Sequence, residues 1–119
     1  AILWVEEGRT GIVPGVCQRG AAGADVMRGE EVQVVGAVAR GLVPADSTIC
    51  HPGTHAKWIR MEGGSIASFR TMMTGELFSL LSDHSILADQ LTGEAQADEA
   101  FRAGVAEALG GGDVLSGLF

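Results

Sequence analysis

Apolar and polar positions alternate over several short runs near the start of the chain, a pattern typical of strands. Ile2–Glu6 predicts one short strand. Ile12–Val16 predicts another, and Pro14 places it at a sheet edge or a strand end because proline cannot donate a ladder hydrogen bond. The run that follows, Gln18–Asp25, is rich in Gly and Ala and is expected to be a surface loop.

A helix is predicted to begin near Gly29. One set of apolar positions recurs along it at steps of three and four: Val32, Val35, Ala39 and Leu42. Val34 and Val38 form a second apolar face, so the helix is expected to be buried on two sides. Gly41 weakens its last turn, and Pro44 ends it.

Three strand-like runs come next: Ser47–Cys50, His55–Met61 and Ile66–Met72. Glu62–Ser65 separates the last two and contains a Gly-Gly pair, which supplies the positive φ angles that tight hairpin turns need. The pattern therefore predicts a β-hairpin in this part of the chain.

Two more helices are predicted in the last third. Thr74 is expected to cap the first of them, which starts at Gly75 and is broken at Asp83–Ser85. Its apolar stripe comprises Leu77, Phe78 and Leu81.

The last helix is expected to follow Thr92 and Gly93 and to end at Gly110–Gly112, with Asp113 capping a short final segment. Its apolar positions predict a face that packs on a core. They are Ala97, Ala100, Phe101, Gly104, Val105, Ala108 and Leu109.

The length of 119 residues fits one modest domain or part of a larger one, and an apolar share of 46% is enough to bury a core. The net charge is −7 and there is no basic patch, which argues against a nucleic-acid partner. No run is long enough to cross a membrane. Two thiols, Cys17 and Cys50, without a secretory signal indicate a reducing compartment, so a cytoplasmic protein is expected.

Both ends of the chain are apolar, at Ile2–Val5 and Val114–Phe119. Apolar ends need cover, whereas complete domains usually end in polar residues. We expect a piece of a longer chain, or a small domain whose ends lie in an oligomer interface.

The segment Cys50–Trp58 carries the strongest candidate chemistry. Pro52 and Gly53 mark a turn, and Thr54, His55 and Lys57 follow within five residues. Such a turn directs backbone N–H groups and a cation at one anion, for which a phosphate group is the natural candidate. The alternative is a plain β-turn with a polar tip.

Met27–Glu31 stands directly before the first predicted helix. A carboxylate of Glu30 or Glu31 lies near the positive end of the helix dipole and suits a general base that takes a proton from a hydroxyl. The alternative is that acidic residues are simply favoured in first turns. Arg28 is expected to bind an anion or to pair with one of these glutamates.

Cys50, His51 and His55 do not match a common zinc spacing, and no metal-ligating residues are predicted. Asp83–Ser85 contains the residue types of a catalytic triad, but adjacent residues point in different directions and a helix end is expected instead.

Three segments taken together resemble the 2-dehydro-3-deoxygalactonokinase family. They are Val26–Gln33, Pro52–Trp58 and Phe69–Phe78, and Asp83–Leu87 adds to the match. The resemblance implies an α/β fold: part of a ribonuclease H-like, actin-like ATPase fold, with a mixed sheet, a β-hairpin and packed helices. Residues 1–46 would end the N-terminal half, and residues 47–119 would start the C-terminal half.

The same resemblance implies transfer of the ATP γ-phosphate, with Mg²⁺, to the 6-hydroxyl of 2-dehydro-3-deoxy-D-galactonate. Gly53 and Thr54 would form the second phosphate hairpin, with His55 and Lys57 beside it. Glu30 or Glu31 would be the base, and Arg28 would bind the sugar acid.

One departure from the family pattern is that the chain has no Asp-x-Gly phosphate loop near its N-terminus, so these 119 residues alone are not expected to turn over ATP. Two alternatives stay open: a non-catalytic α/β module that binds a small anionic metabolite, and a structural domain that forms a homo-oligomer through its apolar ends.

Overall fold

A computed structural model describes residues 2–20, 23–91, 93–94, 96–111, 113 and 116–118. The elements in chain order are β1 (Leu3–Glu6), β2 (Thr10–Ile12), β3 (Val16–Gly20), β4 (Gly23–Met27), α1 (Glu30–Ala39), β5 (Ser47–His51), β6 (His55–Glu62), β7 (Ser65–Met73), α2 (Gly75–His84), α3 (Glu99–Leu109) and a 3₁₀ turn (Ser116–Leu118). The predicted α/β class is confirmed.

The predicted mixed sheet is wrong for the described residues, whose strands form three small antiparallel sheets: β1-β2, β3-β4 and β5-β6-β7. Neighbouring strands are joined by short connections, and parallel pairs would need a long crossover. In the three-stranded sheet the predicted hairpin is confirmed: its turn places Gly63 at φ 55° and Gly64 at φ 78°.

The core lies between α1 and one face of the three-stranded sheet. It is built from Met27, Val34, Ile59, Met61 and Phe69. Ile59 pairs with Ile49 on one side and with Phe69 on the other, so one row of apolar side chains crosses all three strands. The core joins residues from both sides of the boundary predicted at 46/47, and that boundary stays a prediction.

Helix α1 buries the second of its two predicted faces. Val34 is 3% exposed and Val38 packs on the core, whereas Val32 is 52% exposed. The expectation of burial on two sides is wrong, because the sheet covers only one face. The helix also ends earlier than predicted: Gly41 has φ 69° and its N–H bonds the Val38 carbonyl, which closes the helix before Leu42.

The loop predicted at Gln18–Asp25 is wrong for residues 18–20 and 23–25, and Ala21 and Ala22 lie outside the described residues. This segment contributes to a hairpin, β3–β4, in which Val16 pairs with Met27 and Gln18 pairs with Asp25. Gly and Ala have weak strand propensity, so the hairpin depends on the burial of Met27 and on side-chain contacts with β7 described below. The strand predicted at Ile12–Val16 is also wrong, since residues 13–15 separate β2 from β3.

The last two helices differ from expectation in their surroundings. α2 starts and ends as predicted, but the Thr74 side chain makes no cap hydrogen bond. α3 starts at Glu99 and is capped by Asp98, whose Oδ1 accepts from Phe101 N at 2.9 Å. Its predicted packing face is wrong within the described residues, because Phe101, Val105 and other apolar positions are exposed.

Asp113 caps the final 3₁₀ turn as predicted, since its Oδ2 accepts from Ser116 N at 3.1 Å. Thr92 and Gly112, named in the predictions for α3, lie outside the described residues. Within the described ranges no helix combines the length and the apolar character required to cross a bilayer.

Candidate functional site

The turn at Gly53 and Thr54 is docked on the first residues of α2. Gly75 N donates to Gly53 O at 3.4 Å, and Glu76 N donates to Thr54 O at 3.0 Å. The Thr74 hydroxyl donates to Gly53 O and accepts from Ala56 N, both at 3.2 Å. This role occupies the side chain predicted to cap α2.

The approach of the turn to α2 requires glycine at position 75. A Cβ atom there would lie 2.9 Å from Gly53 O and 3.1 Å from Thr54 Cα, and both are backbone atoms that cannot rotate away. The turn therefore presents its carbonyl groups to α2. Its two N–H groups, on Gly53 and Thr54, donate to no acceptor among the described residues. They lie on exposed residues, where an anion can reach them.

His55 follows the turn and pairs with Glu76 in the first turn of α2. Both side chains are nearly half exposed. The imidazole is thus directed toward a carboxylate at the rim of the turn, while its predicted contact with phosphate stays a prediction.

The segment Arg28–Glu31 folds back on itself at the start of α1. Gly29 has φ 109° and no side chain to cap the helix. Glu30 Oε2 accepts from Arg28 N at 3.2 Å, and Glu31 Oε2 accepts from Gly29 N at 2.6 Å. The two carboxylates therefore fix the turn that precedes the helix.

The two glutamates differ in exposure. Glu31 is 5% exposed, and its Oε1 is buried without a partner among the described residues. Glu30 is partly exposed and can meet a solute. Arg28 is exposed, and its guanidinium forms no ion pair with any residue in the described ranges.

A hydrogen bond brings α1 to the strand end that carries the turn. His51 Nε2 lies 2.7 Å from Gln33 Oε1. His51 ends β5 directly before Pro52, and Gln33 lies one helical turn after Glu30. The beginning of α1 and the Gly53 turn therefore lie at the same end of the sheet.

Lys57 points to the inner side of the sheet rather than toward the turn. It is 6% exposed, and its Nζ donates to Val26 O at 3.0 Å and to Thr71 Oγ1 at 2.7 Å. Thr71 in turn donates its hydroxyl to Asp25 Oδ1 at 2.6 Å and its N–H to Asp25 Oδ2 at 2.7 Å. We call Asp25, Lys57 and Thr71 the inner polar triad.

The carboxylate of Asp25 is held ionised by this arrangement. Burial opposes the charge and would raise its pKa, but hydrogen bonds from Thr71 and Val26, with the charge of Lys57, together lower the pKa below its ordinary 3.8. The charged form of Asp25 is therefore part of the folded structure.

A second contact joins the β3–β4 hairpin to β7. The Gln18 side-chain amide donates to Phe69 O at 2.6 Å and accepts from Phe69 N at 3.0 Å, which imitates strand pairing. Sequence reasoning missed both Gln18 and Asp25. Their signal is weak: two polar residues at paired positions of a Gly- and Ala-rich hairpin.

Comparison with known proteins identifies the family. A family model described as 2-keto-3-deoxy-galactonokinase matches residues 1–119. The chain belongs to the 2-keto-3-deoxy-galactonokinase family. The resemblance seen in the sequence motifs is thereby confirmed.

Two curated relatives are named as 2-dehydro-3-deoxygalactonokinases. The chain is 42% identical over 108 residues to the 2-dehydro-3-deoxygalactonokinase of Escherichia coli K12. It is 45% identical over 95 residues to "Probable 2-dehydro-3-deoxygalactonokinase DgoK1" of Rhizobium meliloti 1021. These matches cover 91% and 80% of this chain but 36% and 29% of the relatives, so the chain spans about a third of their length.

A solved structure supports the fold of this segment. The structure is described as "a putative 2-dehydro-3-deoxygalactonokinase protein from Sinorhizobium meliloti". It matches with a TM-score of 0.75 and 39% identity, over 85% of this chain and 34% of that one. The α/β arrangement described above is thus similar to the fold of the corresponding part of that solved structure.

Proposed function

We propose that the complete polypeptide carrying this chain is an ATP-dependent sugar-acid kinase that phosphorylates the 6-hydroxyl of 2-dehydro-3-deoxy-D-galactonate. The observation that carries the proposal is the hydrogen bond between His51 and Gln33, because it brings the carboxylate-bearing start of α1 to the strand end that holds the Gly53 turn. A base and a phosphate-binding turn at one place are what transfer to a hydroxyl requires. Membership of the family supports the same assignment.

Gly53 and Thr54 bind the phosphate chain in this proposal. Their exposed N–H groups have no acceptor among the described residues, and the docking of the turn on α2 holds them in place before ATP arrives. Preorganised donors of this kind stabilise the charge of the transferring phosphoryl group without reorganising. His55, which pairs with Glu76 at the rim of the turn, would contact the phosphates through its ring.

Glu30 is the base in this proposal, and Glu31 supports it. Glu30 is the more exposed of the two and can accept the proton of the 6-hydroxyl, whose oxygen then attacks the γ-phosphorus as ADP leaves. Glu31 is buried and holds Gly29, which fixes the turn. Arg28, exposed and without an ion pair among the described residues, binds the carboxylate of the sugar acid.

Mg²⁺, when bound, neutralises charge on the phosphates. The described residues contain no group of three or more His, Cys, Asp or Glu side chains arranged to hold a metal ion. That fits Mg²⁺, which keeps several waters and is bound through substrate phosphates with one or two carboxylates. We also propose that this kinase is cytoplasmic. In the same proposal, the chain is part of a ribonuclease H-like fold, and the boundary between its N-terminal and C-terminal halves lies between residues 46 and 47.

A kinase assay of the complete polypeptide tests the proposal. Wild type should release ADP when given ATP, Mg²⁺ and the sugar acid. Glu30→Gln should lower kcat by about 10²–10⁴-fold, the usual contribution of a general base. Glu31→Gln keeps an oxygen that can accept from Gly29 N, so its effect should stay below about tenfold.

Glu107→Gln, on the exposed α3, is the matched control and should behave as wild type. A wild-type protein that binds the sugar acid but releases no ADP would favour the non-catalytic binding module instead. Equal activity in both active-site variants would remove the assignment of the base.

A further inference from the structure

Lys57 is a lysine three residues after a phosphate-binding turn, yet its ammonium is buried on the other side of the strand. β6 alternates, so Lys57 shares the inner face of the sheet with Ile59 and Met61, both in the core. Two of the three donors of its ammonium group go to Val26 O and Thr71 Oγ1. These contacts use donors that a phosphate ligand would need.

We propose that Lys57 acts as a positioning residue, which with Thr71 and Asp25 fixes the carboxylate-bearing turn of α1 relative to the phosphate-binding turn. This inference rests on the function proposed above. Its basis is a chain of contacts that runs from Lys57 through the Thr71 hydroxyl to the Asp25 carboxylate, and directly from Lys57 to the β4 backbone at Val26.

The inner polar triad joins the two strands that lead to the two functional turns. Lys57 lies three residues after Thr54 on β6, and Val26 lies four residues before Glu30 on β4. Because an extended chain spans at most about 3.6 Å per residue, neither connection is longer than roughly 14 Å. A shift at the triad is therefore transmitted to the distance between base and phosphate.

The charges of the triad balance. A buried ammonium without a partner would destabilise the fold, and Asp25 supplies the opposite charge through one shared hydroxyl. The Gln18 amide holds the same hairpin to Phe69 by separate bonds. Loss of the triad should thus displace β4 without detaching it, which makes the triad open to testing by mutation.

The experiment compares Lys57→Met, Thr71→Val and Asp25→Asn in the complete polypeptide. Since a misplacement of 1 Å can cost about 100-fold in rate, each variant should lower kcat by roughly 10- to 100-fold and leave the KM for ATP within about threefold. The double variant Lys57→Met with Asp25→Asn should be little slower than the slower single variant, because both substitutions disrupt the same hydrogen-bond network and their effects do not add.

Two controls accompany these variants. Thr71→Ser keeps the hydroxyl and should retain a rate within about threefold of wild type, whereas Thr71→Val loses it. Arg60→Met changes an exposed residue on the opposite face of the same strand and should not alter kcat. If Lys57→Met does not fold, the comparison of Thr71→Val with Thr71→Ser still tests whether the triad positions the base.

Three results would overturn the inference. A KM for ATP raised tenfold or more in Lys57→Met alone would make Lys57 a phosphate ligand. Normal kcat in Thr71→Val and Asp25→Asn would show that the triad does not position the base. An inactive wild type would refute the proposed function and this inference together, whereas the first two results leave the proposed function standing.

Discussion

Replacing Gly75 by Ala tests whether the docking of the turn on α2 matters. The added methyl would sit 2.9 Å from Gly53 O and 3.1 Å from Thr54 Cα, distances at which the backbone must move. Such overpacking costs about 1–3 kcal/mol. Ala is about 1 kcal/mol better than Gly within a helix, which offsets part of this at the helix start. The expected net destabilisation is about 0–2 kcal/mol, together with weaker ATP binding.

Gly104→Ala is the matched control, because a methyl group added there, on the exposed helix α3, would meet nothing within 4 Å beyond the adjacent helix backbone. It should stabilise the protein by about 0.5–1 kcal/mol through helix propensity alone. Urea unfolding gives both free energies, and steady-state kinetics of the complete polypeptide gives the KM for ATP. If Gly75→Ala gains as much stability as Gly104→Ala and keeps its KM, the turn does not depend on its contact with α2.

Two further predictions concern the hydrophobic face of α1 and the inner polar triad. Val34→Ala should cost about 2 kcal/mol because Val34 is buried, whereas Val32→Ala should change stability by less than about 0.5 kcal/mol, both measured by urea unfolding. The folded-state pKa of Asp25 is lowered, so its stabilisation is complete above its ordinary 3.8 and is lost as the pH falls through the lowered value. The stability difference between wild type and Asp25→Asn should therefore be largest at about pH 7 and should shrink as the pH falls below 3.8, whereas a difference that does not change with pH would contradict the assignment.

The sequence predicted those parts of the fold that depend on the backbone preferences of neighbouring residues. The Gly63–Gly64 turn needs positive φ angles that only glycine adopts readily, so the hairpin was evident from the sequence. The buried face of α1 was not, because valines line both candidate faces and periodicity alone cannot choose between them. Which face is buried depends on where the sheet lies.

The β3–β4 hairpin could not be predicted because its support is remote in sequence. Gln18 contacts Phe69 across 51 residues, and Asp25 contacts Thr71 across 46. Glycine and alanine give little local indication of a strand, so these long-range bonds decide the outcome. The hydrophobic pattern of a short sequence window contains no information about contacts between residues 46 or 51 positions apart.

At the candidate site, the turn was predictable and the direction of Lys57 was missed. Pro52 and Gly53 mark the turn by their own backbone preferences. The alternation of Lys57 with Ile59 and Met61 did indicate that the lysine faces the core, but a charged residue beside a candidate phosphate turn favoured the opposite interpretation. The burial of Glu31 beside the partly exposed Glu30 required the packed helix.

The two hydrogen bonds between the Gln18 side chain and the backbone of Phe69 have a consequence for the behaviour of the protein in solution. Among the described residues, β7 is one of the two outer strands of its sheet, and its outward N–H and C=O groups at Phe69 could otherwise pair with a strand from another molecule. The amide of Gln18 occupies those groups, and the Asp25 carboxylate adds a negative charge at Thr71 N. We therefore expect the two side chains to hinder pairing of β7 with a strand from another molecule.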